Sequence, residues 1–349
     1  MPEAAFAELG FKSKLKMDLF PTIWCPGCGI GTIMIELAMV LDELGMDHTN
    51  TVLVTGIGCT GRMGSYMKYE SVYTLHGRTL PVAEAIKTVR PELNVIVVAG
   101  DGDTASIGGN HLIHAIRRNA RITVLCNNNE IYGLTGGQTG PTTPTGTKTL
   151  SSPGGNPNTP INLQGIVRSS PHALYARTTV YHQPQMRTAI REAVSHDGFA
   201  FVDITSQCIE NNGRRIGFAN ANEMLTFYRK TYKRAPKDAD RLGQFELGIL
   251  YPEGHAERTN GAQTDGAAPA NGAAAEGAAS AGPAPTEVTT KAERPAVSDD
   301  EKARKRAEAQ KKLALMNRLD PAVKLRVAKG ELTLVDALRE AGIDPAELA

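Results

Sequence analysis

VIVVAGDGDTASIGGNHLIHAIRRNARITVLCNNNEIYGLTGGQ, residues 95–138, is the stretch on which the fold turns. Two apolar runs inside or beside it, residues 94–99 and 122–126, have the length and β-branched content of buried strands. Each ends in glycine or polar residues, which is where a parallel sheet places its ligand loops. Residues 108–119 between them are the right size for a crossover helix, so the unit reads strand, loop, helix, strand. Asp101 and Asn129, 28 residues apart, then meet at one edge of the sheet. A carboxylate, an amide oxygen and a backbone carbonyl just after Asn129 are hard oxygen ligands of the kind Mg²⁺ accepts, with phosphate oxygens and water completing the shell.

GDGD at 100–103 followed by NNN at 127–129 looks like the thiamine diphosphate motif. The fuller string is more specific. HGR at 76–78, GDGD, GGNHLIHAIRRN and NNEIYGLTGGQTGPTTP together resemble the beta subunit of the 2-oxoacid:ferredoxin oxidoreductases, over residues 10–252. That resemblance implies an α/β thiamine diphosphate-binding fold with a mostly parallel sheet and helices on both faces. Carried over residue by residue, it implies Asp101, Asn129 and the carbonyl of Ile131 as Mg²⁺ ligands. It also implies Gly58, Gly100, Gly102, Asp103, Gly133, Leu134 and Thr135 around the cofactor.

Composition agrees with a chain of this kind. At 349 residues the chain is long enough for one substantial core with something added. A net charge of +1 argues against a nucleic-acid groove spread over the surface. The first ten residues lack the basic opening and apolar core of a secretory peptide, and no apolar run approaches the roughly 20 residues that span a bilayer. The expectation is a soluble, cytoplasmic chain whose five cysteines are ligands, redox groups or core residues rather than disulfides.

Trp24-Cys25-Pro26-Gly27-Cys28-Gly29 makes a tight turn just before a helix with apolar residues at Ile33, Leu37, Val40, Leu41 and Leu44, a position that stabilises thiolate charge. By itself CxxC is a dithiol redox pair, half of a metal or cluster site, or a plain turn. A third cysteine, Cys59, lies in the glycine-rich loop after the strand at 51–54, and a fourth, Cys208, follows the strand at 199–204. The resemblance places a [4Fe–4S] cluster on Cys25, Cys28, Cys59 and Cys208, and a structural Zn²⁺ satisfies the same spacing. Cys126, inside a strand, reads as a buried inert thiol.

His76, in the HGR string, is placed by the resemblance near the reacting carbon, where an imidazole transfers a proton or orients a carboxylate. Arg62 is placed facing the 2-oxoacid. Its fork of donors suits a carboxylate, and a second carboxylate on the substrate favours 2-oxoglutarate, with pyruvate as the alternative. The glycine- and proline-rich loop at 132–152 reads as a cover that keeps water from the site.

The implied reaction is oxidative decarboxylation of 2-oxoglutarate with coenzyme A to succinyl-CoA and CO₂, reversible, with electrons passed to ferredoxin. Thiamine enzymes activate the cofactor with a glutamate from a second domain that this chain lacks. The resemblance puts it on an alpha subunit, in an assembly of two alpha and two beta chains. Competing readings are a nonoxidative thiamine decarboxylase or synthase and a Zn-stabilised scaffold subunit.

Domain organisation is expected as a catalytic part at 1–252, a linker at 253–298, where composition shifts to Ala, Gly, Pro, Thr and Glu, and a helical module at 299–349. In the module, residues 301–319 form a charged helix and 332–341 a shorter one capped by Gly342.

Overall fold

In the computed structural model the described residues are 10–253, 319–320, 323 and 333–344. The chain divides into two compact units, Met1–Gly272 and Ala273–Ala349.

The first unit is built on an eight-stranded sheet. In chain order its elements are α1 (Ile30–Glu43), β1 (Thr51–Thr55), α2 (Met63–Tyr66), β2 (Glu70–Tyr73), α3 (Thr79–Val89), β3 (Asn94–Gly100), α4 (Gly109–Arg117) and β4 (Thr123–Asn128). A two-stranded ribbon follows, β5 (Ile131–Tyr132) with β6 (Gln138–Thr139). Then come α5 (Leu163–Val167), β7 (Leu174–Thr179), α6 (Gln183–Val194), β8 (Ala200–Thr205), α7 (Ala221–Thr231), β9 (Lys233–Arg234) and β10 (Glu246–Leu250). The sheet order is β2-β1-β3-β4-β8-β7-β10-β9. All neighbours run parallel except β10 against β7.

Period-two alternation explains why the central strands read as continuous apolar runs. Leu53, Ile96, Val98 and Val202 face one cluster with α1 and α6. Val54, Val95, Val97 and Val124 face the other with α3, α4 and α5. Both faces are covered, so both sets of alternating side chains are mostly apolar. After β1 the chain moves outward to β2, and after β3 it moves the opposite way to β4. The adjacent ends of β1 and β3 therefore form a switch point, where doubly wound sheets open a crevice.

One polar contact joins two helices on the same face. Glu36 of α1, its side chain 3% exposed, receives the Arg187 guanidinium of α6 at 2.8 Å (Nε) and 3.3 Å (Nη2). Arg187→Ala leaves that carboxylate buried and unpaired. The expected loss in a urea titration is about 2 kcal/mol, below the roughly 3–5 of a fully buried pair because Arg187 reaches solvent. A loss under about 0.5 kcal/mol would show that the pair does not clamp the two helices.

The second unit contributes α8 (Leu334–Glu340), capped by the Thr333 hydroxyl, which accepts the Asp336 N–H. Ala337, Leu338 and Ile343 are buried. Residues 301–318 of the charged helix expected at 301–319, and all of the expected linker except Glu253, lie outside the described residues. Among the described residues no helix is long and apolar enough to cross a membrane.

Candidate active site

The loops after β1, β3 and β4 close around a cleft of about 90 Å³ at the switch point. Ile57 to Thr60 come from the first loop, Gly100 to Asp103 from the second, and Asn129 and Ile131 to Thr135 from the third, with His76 at the side. Every residue expected around the cofactor therefore lines one cleft. Arg62 does not: it lies exposed in the turn that leads into α2.

Asp101 marks the end of β3, where the chain leaves the sheet and winds as a π-helix over Gly102–Ile107. Its carboxyl is buried, and burial pushes it up to about 6, against the opposing pull of the Thr142 hydroxyl and nearby backbone N–H groups, including those of Gly102 and Asn129. Thr142 Oγ1 lies 2.7 Å from Asp101 Oδ2 and 2.8 Å from Asn128 Oδ1. Asn128 in turn donates its amide to Asp203 Oδ1 at 2.9 Å. Asp203 Oδ2 accepts Tyr175 Oη at 2.8 Å and Arg177 Nε at 3.3 Å. A buried polar chain thus runs sideways from the cleft through three strands.

Glu130, with the left-handed φ of +61°, sits between the two halves of the third loop. Burial and the charges of Asp101 and Asp203 push its carboxyl up to about 8. On the other wall, Asp103 Oδ1 accepts the Gly77 N–H at 2.5 Å and lies 2.5 Å from His76 Nδ1. Burial raises the Asp103 carboxyl, and the Gly77 N–H, His76 and the Ile57 N–H counter it. Gly56 is required here, since a Cβ would stand 1.5 Å from Asp103 Oδ2.

The loop expected as a cover is fastened. Thr139 meets Thr149 at 2.6 Å, the Gly140 N–H donates to Thr143 Oγ1 at 2.8 Å, and Thr143 Oγ1 donates to the Glu130 carbonyl at 2.5 Å. Asn156 donates to the Thr143 carbonyl at 2.8 Å. Past Thr135 the loop adds nothing to the cleft lining and acts on it through Thr142.

The four cysteines are neighbours: burial pushes Cys28 up to about 12, and charge on Cys208, Cys59 and Cys25 adds to the rise. Trp24 Nε1 donates to the Cys59 carbonyl at 2.8 Å, tying the CxxC turn to the first loop. Even so, among the described residues no three or more His, Cys, Asp or Glu side chains are grouped to hold a metal ion. This corrects the expectation of a [4Fe–4S] cluster on Cys25, Cys28, Cys59 and Cys208 and of Mg²⁺ on Asp101, Asn129 and Ile131, and it leaves the zinc alternative without its site. Burial favours the neutral thiol at Cys28, Cys59 and Cys208. Asp101 is engaged by Thr142, and Asn129 Oδ1 accepts the Ile131 N–H at 3.3 Å.

Thr142, Asn128, Asp203 and Glu130 are the site residues that sequence reasoning missed. PTTP carried a signal for the first of them, because a threonine pair in a loop is a source of side-chain hydrogen bonds. Nothing local marks Asp203, whose role depends on its register opposite Cys126 and Arg177.

Comparison with known proteins follows the same cleft. The family model for the C-terminal TPP binding domain of thiamine pyrophosphate enzymes matches residues 56–204, from the first loop to the end of β8. The chain is 44% identical over 240 residues to 2-oxoglutarate synthase subunit KorB of Archaeoglobus fulgidus, covering 68% of this chain and 88% of that one. It is 40% identical over 246 residues to 2-oxoacid:ferredoxin oxidoreductase 2, subunit beta, of Aeropyrum pernix, covering 65% and 79%. A solved structure, the 2-oxoglutarate:ferredoxin oxidoreductase from Magnetococcus marinus with 2-oxoglutarate, coenzyme A and succinyl-CoA bound, superposes with a TM-score of 0.63 at 33% identity, covering 70% and 85%.

Proposed function

The chain belongs to the beta subunits of the 2-oxoacid:ferredoxin oxidoreductases, and from that premise we propose that its cleft binds thiamine diphosphate for the conversion of 2-oxoglutarate and coenzyme A to succinyl-CoA and CO₂, with ferredoxin as electron acceptor. The observation that carries the reading is the cleft itself: a family-matched stretch, 56–204, folds so that its three strand-end loops meet at the switch point.

The residues present suit such a ligand. Gly58, with φ +103° and open space where a side chain would stand, leaves the first loop's backbone bare. Asp103 Oδ2 is buried without a hydrogen-bond partner. Bound thiamine diphosphate supplies the carbanion chemistry by which a 2-oxoacid loses CO₂. This chain positions it between the β1 and β3 loops, shields it with Tyr132 and Leu134, and offers His76 to accept or return a proton.

A cleft of about 90 Å³ is far below the roughly 300–1,000 Å³ that encloses a cofactor-sized molecule, so this chain builds one wall. Ile57 and Leu134 of the lining are exposed, and exposed apolar side chains at a cleft are a surface for another chain. The partner is an alpha subunit that closes the cleft and brings the activating glutamate, with two copies of each chain in the assembly. Arg62, exposed in this chain, faces the substrate once that partner is seated.

The test is reconstitution with the alpha subunit, ferredoxin and coenzyme A, scored with 2-oxoglutarate and with pyruvate, together with thiamine diphosphate content. Succinyl-CoA formation several-fold above acetyl-CoA formation is expected. Arg62→Ala should raise the KM for 2-oxoglutarate at least about tenfold while leaving that for coenzyme A alone, since loss of a desolvated charge pair costs about 2–5 kcal/mol. Equal use of both acids would defeat the substrate assignment. An assembled complex free of thiamine diphosphate would defeat the whole reading.

A further inference from the structure

The wall of the cleft opposite the buried polar chain holds an imidazole and a carboxylate whose hydrogen bonding determines which ring nitrogen carries the proton. Asp103 is buried, its side chain 1% exposed, while His76 is 32% exposed and lines the cleft. Asp103 Oδ1 takes the Gly77 N–H at 2.5 Å, and a backbone N–H only donates, so Oδ1 is an acceptor. His76 Nδ1 stands 2.5 Å from the same oxygen and is matched to it as a donor. The Tyr132 ring meets the imidazole edge-on, with centroids 6.3 Å apart and planes at 74°, which fixes its tilt. Asp103 Oδ2 fills the space left where Gly56 has no side chain.

We propose that Asp103 is a positioning residue for His76: it holds the proton on Nδ1, so that Nε2 meets the cleft as a bare proton acceptor. A proton leaving a group bound in the cleft goes to Nε2, and the imidazolium so formed keeps Nδ1–H on the Asp103 carboxylate, which offsets its charge. The proton returns from Nε2 in the reverse step, so nothing is consumed. This rests on the functional reading above and deepens it, since it gives His76 the accepting role first and makes the carboxylate behind it part of the proton machinery.

Two measurements test it separately. Nitrogen NMR of the full chain labelled at histidine reports the tautomer directly, with His76→Gln assigning its signal among the eight histidines. His76 is expected in the Nδ1–H form in the parent and in Asp103→Asn, whose amide oxygen still accepts from Nδ1 and from the Gly77 N–H while the carboxylate charge behind the ring is lost. In the assembled enzyme, Asp103→Asn and His76→Gln should each lower kcat by roughly 100-fold, the lower range for a lost general base. The double variant should fall little below either single one, because the two act as a unit.

A parent spectrum with Nε2–H at His76 would overturn the inference. So would a double variant that loses the product of the two single effects, the behaviour of an aspartate that merely supports the loop. If Asp103→Asn fails to fold, the parent spectrum alone decides. If the assembled parent shows no activity on 2-oxoacids, the functional reading fails and the tautomer is still read from the spectrum.

Discussion

Asp101→Asn is expected to make the chain more stable at pH 7.5 and to disable the enzyme. The parent carboxyl is buried and raised from an ordinary 3.8 to about 6. Between those values the folded chain holds a proton that the unfolded chain has released, so stability falls as pH rises through the window and the full cost is present above about pH 6. A shift of that size corresponds to about 3 kcal/mol. Asparagine accepts the Thr142 hydroxyl through its amide oxygen and never ionises. The two chains should therefore have similar pH dependence below about pH 4 and diverge up to pH 6, with the variant ahead. The charge that destabilises the fold also lines the cleft, and removing such a group costs roughly 100-fold or more in kcat. Unfolding curves that stay parallel from pH 4 to 7.5, or an Asn variant with parental activity, would refute this account of Asp101.

Asp203→Ala should give the larger loss of stability, about 4 kcal/mol in urea at pH 7. Asp203 is buried and accepts from Asn128, Tyr175 and Arg177. Tyr175 is itself buried, and the Arg177 side chain is only 15% exposed. Removing the carboxylate takes the acceptor from the Tyr175 hydroxyl and the Asn128 amide and the counter-charge from Arg177, which keeps only the Gly243 carbonyl and the Tyr175 oxygen, and breaking a buried pair from one side typically costs about 3–5 kcal/mol. Asp203→Asn retains an acceptor and should recover about half of the loss. Because Asn128 also holds Thr142, the alanine variant is expected to weaken thiamine diphosphate binding from a distance while leaving the lining residues untouched. A loss below 1 kcal/mol would mean that the three donors find other partners.

The sequence made the centre of this fold legible, and physical reasons separate what was read from what was not. Residues 94–99 and 122–126 stood out because strands covered on both faces carry apolar side chains at every position, and they became β3 and β4 with ends moved by one or two residues. The crossover helix was foreseen at 108–119 and lies at Gly109–Arg117. The π-helical turn before it, Gly102–Ile107, has no local signature. β2 and β9 were missed because a short, exposed strand has neither an apolar run nor strict alternation. β10 was missed as a strand beyond the chain's last expected one, where it closes the sheet antiparallel to β7. At the site, the lining residues could be placed because motif spacing fixes strand ends. The partners that set their protonation, Thr142 for Asp101 and Gly77 with His76 for Asp103, depend on tertiary contacts across 41 and 26–27 residues. The metal centres failed at a finer level: side chains drawn to one neighbourhood need not present their donor atoms to one point.

β2, the last strand on one side of the sheet, pairs with a strand on one side alone, with Val72 and Tyr73 exposed in it and Leu75 just after it. For the cell this makes the timing of synthesis matter. A copy produced ahead of its alpha partner displays a ready template on which another copy's extended segment can add, and the brevity of the strand and the charge of Glu70 are its defences. Balanced production of the two chains is then a condition for keeping this one out of aggregates, and an orphan copy is a natural target for chaperones and proteases.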